Sequence, residues 1–137
     1  LTSLDVSNWN TANVTSFSGT FYGCAKLTSL DVSNWNTTKV TNVSSMFYFC
    51  SALTSVDMSN LDLSSVTSWS SIFYGCGNLT ELRLNTEINT SASLSANIFE
   101  YNRAAGTLYY YPHASFVEKF LPIIPSTWTA IDITTLE

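Results

Sequence analysis

Apolar residues return along this chain at a fixed 26-residue interval. The segment Leu1-Thr2-Ser3-Leu4-Asp5-Val6-Ser7-Asn8-Trp9-Asn10-Thr11 recurs letter for letter from Leu27 to Thr37. It returns with changes from Leu53 to Leu63, and weakly from Leu79 to Leu84. Units one and two agree at 17 of 26 positions and units two and three at 13, which chance does not produce. Aligned as columns, the units keep an apolar residue at positions 1, 4, 6, 9, 14, 17, 21 and 24. Position 6 reads Val6, Val32, Met58, Leu84, and position 21 reads Phe21, Phe47, Phe73, Phe99. Ser3 to Ser7 alternates with period two, the mark of a half-buried strand with Leu4 and Val6 inward. Val14 to Phe17 predicts a second, poorer extended segment. Ser18 to Cys24 has the three- and four-residue spacing of a single helical or 3-10 turn. No unit can bury its own stripe, so the columns predict a solenoid whose units stack into one core.

The pattern decays after unit three. Unit four has Glu87-Ile88 where Trp9-Asn10 stood and Asn102 where Cys is expected, and beyond Asn102 the repeat is no longer legible. Gly106 to Tyr111 reads as a strand stopped by Pro112. Ser115-Phe116-Val117-Glu118 reads as a capping box opening a short helix at about 115–121, with Phe116 over Phe120 and Val117 over Leu121. The expected division is therefore residues 1–102 as repeats (1–26, 27–52, 53–78 and a degenerate 79–102) and 103–137 as a C-terminal cap. The array begins in phase with no capping sequence, so further N-terminal repeats are expected to cover Leu1, Leu4, Val6 and Trp9. Neither an initiator Met nor a signal peptide precedes it, which puts any targeting segment upstream.

Composition narrows the function. Only 11% of the 137 residues are charged and the net charge is −5, which is no footprint for nucleic acid or an anionic membrane. No stretch is apolar enough to span a bilayer. Polarity is carried instead by Ser, Thr and Asn, 51 residues together. The three cysteines, Cys24, Cys50 and Cys76, stand one full repeat apart with no CxxC pair and no neighbouring His. They read as free, buried packing residues, not as zinc ligands or a disulfide set.

The frame Cys24-Ala25-Lys26-Leu27-Thr28-Ser29-Leu30-Asp31-Val32, with its Phe-Tyr-Gly-Cys ending, resembles the bacterial BspA-type leucine-rich repeat, in its 26-residue LTSLDVSNWNT variant. The resemblance covers residues 1–84 strongly and 85–102 loosely. It implies an α/β leucine-rich-repeat solenoid with short parallel strands and one helical or 3-10 turn per coil. It also implies a secreted or surface-anchored bacterial protein engaged in adhesion.

Candidate chemistry is sparse. The lone His113 sits beside Pro112 at a helix start, where a solvated or capping role is expected. No nucleophile–base pair, phosphate loop or metal-ligand spacing is present, so no enzyme activity, cofactor or metal is expected. The five Asn-x-Ser/Thr sequons follow from composition. Two binding surfaces remain for a protein or glycan partner. The first is the outward strand face, Ser3, Asp5, Ser7, Ser29, Asp31, Ser33, Ser55, Asp57, Ser59 and Arg83, in which Arg83 is expected to pair with Asp57. The second is Tyr109, Tyr110 and Tyr111, of which at least one must point inward. The competing expectation is a structural spacer within a larger surface protein, favoured by the near-identity of units one and two.

Overall fold

The computed structural model describes residues 2–136, and Leu1, one of the apolar residues expected at the open end, lies outside them. Four strands form one sheet in the order β1 (Ser55–Met58), β2 (Glu81–Leu84), β3 (Thr107–Tyr110) and β4 (Thr129–Asp132). All pairings are parallel, with Ser55 opposite Glu81, Glu81 opposite Thr107 and Thr107 opposite Thr129. The fold is therefore mixed, a parallel sheet with short helical pieces.

The 26-residue interval is a physical register. Amides of one unit donate to carbonyls of the next across the whole width of the chain: Phe17 N to Asn42 O, Phe21 N to Met46 O, Phe47 N to Ile72 O and Phe73 N to Ile98 O, all at 2.9–3.0 Å. Single parallel bridges at Ser16–Asn42–Ser68 mark the second extended segment. The Phe column stacks inside, with centroids 5.6 Å apart from Phe21 to Phe47 and from Phe47 to Phe73, and 5.5 Å from Phe73 to Phe99. Cys50 and Cys76 are buried and unpaired, each thiol donating to a carbonyl of an earlier unit. The Trp69 indole N–H is buried without a hydrogen-bond partner.

Several expectations need correction. Units one and two carry the same apolar alternation as unit three, yet among the described residues only one backbone bond joins each to the next there, Thr28 N to Thr2 O and Thr54 N to Thr28 O, and no ladder forms. The turns at Ser18–Cys24 and its counterparts are successive i→i+3 turns. Of these turns only the unit-four counterpart, Ala96–Phe99, is a 3-10 helix, and two further 3-10 pieces, Leu121–Ile123 and Ile133–Leu136, lie in the tail. Positive φ at Gly19 and Gly23 interrupts the helical path in unit one, and Ser45, Phe49, Ser71 and Gly75 repeat this in units two and three.

The tail is less a separate cap than a continuation. Thr107 to Tyr110 occupies positions 3 to 6 of a fifth unit, and β4 adds a sixth layer. Helix α1 spans Ala114–Lys119 and begins one residue before the expected start. Ser115 does not cap it, because its hydroxyl accepts the Ile88 amide instead, at 2.9 Å. The Phe116–Phe120 stack forms, at 4.7 Å. Val117 is exposed. Asn102 replaces cysteine for a reason: its amide donates to Cys76 O and Leu79 O, and its oxygen accepts Trp128 Nε1 at 3.1 Å. Trp128 in turn lies over Gly106, where an added Cβ would stand 2.3 Å from the indole.

Candidate functional site

In units one to three an Asp two residues before a Ser makes a local turn. Asp57 Oδ1 accepts both the Ser59 amide (2.9 Å) and the Ser59 hydroxyl (2.5 Å), and Asp5–Ser7 forms the same turn. In unit two the Ser33 amide donates to Asp31 Oδ1 at 2.9 Å. Short polar side chains favour such local turns because they stand in for a backbone carbonyl. The Ser7 and Ser33 donors hold the Asp5 and Asp31 carboxyls below the usual carboxylate range, and for Asp31 the opposing repulsion from Asp5 is the smaller effect. Asp5 and Asp31 are thus held in their ionised form by their own turns.

Ser3, Asp5, Ser29, Asp31 and Ser33 are exposed and Ser7 is half-buried, but these six lie on the part of the chain without a ladder and line no hollow with Arg83. From β1 onward the picture changes. The sheet register sets Arg83 between Asp57 and Tyr109. Its guanidinium lies 4.1 Å from the Tyr109 ring centroid, and its Nε is 3.6 Å from Glu81 Oε2. The expected Arg83–Asp57 ion pair does not form, because the ring face and the carboxylate on its own strand take the cation. Asp57, Ser59, Arg83, Tyr109, Tyr111 and Ile133 line a hollow of about 160 Å³, so both groups of expected residues meet in one place. Tyr110 points the other way, stacked at 5.7 Å on Phe116, and Ser55 is half-buried beside Glu81.

Ser59 also borders a second hollow of about 380 Å³ with Asp62, Asn85, Glu87 and His113. His113 stands at the N-cap of α1, as expected, but its ring makes no capping bond. It is half-buried, with Nε2 2.7 Å from Asn85 Oδ1. Sequence reading missed His113, Asp62 and Glu87 as site residues. The available signal was the change at position 10 from Asn10 and Asn36 to Asp62. The joined hollows offer one arginine cation, two tyrosine rings, three carboxylates and several amide and hydroxyl groups. That set hydrogen-bonds a polar ligand. Among the described residues no group of three metal-ligating side chains comes together, and no helix is long and apolar enough to cross a membrane.

Residues 2–105 match the family described as "Mycoplasma protein of unknown function, DUF285". The chain belongs to the DUF285 family. No curated protein and no solved structure matches it. The DUF285 match ends two residues before β3, so the Arg83 side of the hollow falls within the family segment and Tyr109 and Tyr111 fall outside it.

Proposed function

We propose that this DUF285 chain is a BspA-type leucine-rich-repeat solenoid, displayed on or released from a bacterial surface. In this reading it catalyses no reaction and binds a protein or glycan partner through the face around Arg83. The observation that carries the reading is the hollow that joins Asp57, Ser59 and Arg83 to Tyr109 and Tyr111. A cation held over an aromatic face is partly desolvated and pre-positioned, which suits it to meet a polar partner at modest entropic cost. The 26-residue register supports the solenoid reading, since each unit contacts its neighbours through the same columns.

The test is an array of glycans and extracellular-matrix proteins probed with the purified chain, repeated with Arg83→Ser and Tyr109→Ser. We expect a ligand whose affinity falls about tenfold in either variant, the magnitude of one partly desolvated cation–π contact. Comparing the triple Asp5, Asp31 and Asp57 to Asn variant with the double Asp5, Asp31 to Asn variant separates the two ends of the face, and only the loss of Asp57 is expected to matter. A ligand bound equally by wild type and Arg83→Ser would remove this face. No ligand at all would favour the structural spacer, to which the near-identity of units one and two already points.

A further inference from the structure

Position 23 reads Gly23, Phe49, Gly75, Tyr101, and all four residues have positive φ, at 73°, 54°, 74° and 61°. The turn therefore requires left-handed backbone in every unit. Glycine supplies it freely, whereas a bulky side chain there is an outlier that costs stability. Phe49 and Tyr101 are nevertheless placed there, 45% and 54% exposed. Phe49 meets Tyr48 and Tyr74 edge-on and Tyr101 meets Tyr74 edge-on, yet both rings keep about half their surface in water. Between them the intervening unit has no side chain at either of two positions, Gly75 and Gly77. The Phe49 ring lies on Gly75, where an added Cβ would meet Cδ1 at 2.5 Å. Gly77 has open space, the nearest atom to an added Cβ being Tyr101 O at 3.8 Å, so packing does not demand glycine there.

The result is a groove of about 420 Å³ with Phe49 and Tyr101 as walls, Gly75 and Gly77 as floor, and Ser51 and Arg103 beside it. Its volume lies in the range of small-molecule sites. Among the described residues Arg103 forms no ion pair, and no carboxylate lines the groove, although the chain carries −5 overall. A glycine floor lets a ring approach the backbone closely. Aromatic walls suit the apolar C–H faces of a pyranose, and the Ser51 hydroxyl and the Tyr101 phenol suit its hydroxyl rim. Arg103 adds a fixed positive charge for a carboxylate.

We propose that this groove, separate from the Arg83 hollow, is a binding site for a carboxylated sugar. The hydroxyl-binding rim favours the sugar over an aromatic side chain of a peptide, which would leave that rim unused.

The experiment titrates the isotope-labelled chain with a hexasaccharide of alternating glucuronate and N-acetylglucosamine, with chitohexaose as the neutral control. Amide shifts centred on Gly75 and Gly77 are expected for the acidic sugar, with weaker binding of the neutral one. Phe49→Gly is expected to weaken binding about tenfold while the melting temperature stays within a few degrees, since relief of the left-handed strain offsets the lost packing. Arg103→Gln is expected to erase the preference for the acidic sugar and its salt dependence. Equal binding of both sugars by wild type, shifts centred elsewhere, or unchanged binding in Phe49→Gly would each overturn the proposal. So would binding of indole-3-acetate at the groove without binding of either sugar.

Discussion

Cys50 and Cys76 are enclosed by the stack, and each thiol donates to a carbonyl, Phe21 O at 3.1 Å and Phe47 O at 3.0 Å. Burial pushes the Cys50 thiol up to about 11 and the Cys76 thiol up to about 12. An unfolded thiol ionises near 8.5. Because the folded values lie above that, the contribution is complete below about pH 8.5 and is lost as pH rises through the folded values. Stability should therefore fall above about pH 9, by at most ~1.4 kcal/mol per pH unit for each thiol. Urea midpoints flat from about pH 6 to 8 and falling from about 9 to 11, with a shallower fall in the Cys50→Ala, Cys76→Ala double variant, would bear this out. Iodoacetamide at neutral pH should label only the half-buried Cys24. Gly106 is the second sensitive residue. Gly106→Ala drives a methyl into the Trp128 indole and should cost about 2 kcal/mol, read from denaturant unfolding. The cysteine column was legible as packing from its regular spacing. Gly106 was not, because its partner Trp128 lies far along the tail, in a segment without the repeat pattern.

Strands illustrate how far a periodic pattern carries. Ser3 to Ser7 and Ser29 to Ser33 alternate as well as Ser55 to Met58 does, yet only the last joins a ladder. The difference lies on the outward face. Glu81, Arg83, Thr107 and Tyr109 give their strands cross-strand partners, among them the Arg83–Tyr109 contact, while Ser and Asp in the first two units give none and set Asp5 near Asp31. Amide exchange should accordingly be slower at Val56, Leu82 and Leu108 than at Leu30 and Val32. Equal protection would show that the cross-strand pairs contribute nothing. Register also explains what alignment by columns overlooked. Met46, Ile72 and Ile98 form a buried column at position 20 that Thr20 hides in unit one, and β3 keeps the register with Leu108 and Tyr110 at the inward positions 4 and 6. The two halves of the Arg83 site were each readable. Their meeting was not, because it depends on a fifth and sixth layer that the residue pattern does not announce. Ending the chain after Pro125 should remove β4 and Trp128, uncover Phe99, and lower the melting temperature by several degrees.

At the scale of the whole molecule, stabilising contacts run from each unit to the next, and the core repeats with the period of the sequence. Units one and two invite the view that layers are interchangeable beads. The ring on Gly75 contradicts it. A copy of residues 27–52 inserted directly after the original would put a second phenylalanine where the first needs a glycine, within 2.5 Å of its ring. A copy of residues 27–78 inserted after unit three would keep the order glycine, phenylalanine, glycine and meet no such clash. The single insertion should melt lower than the double one, although it adds half as much chain. If this chain lengthens or shortens through duplication and loss, its surface grammar makes the viable step a pair of units: the interior counts in single repeats, and the exterior counts in twos.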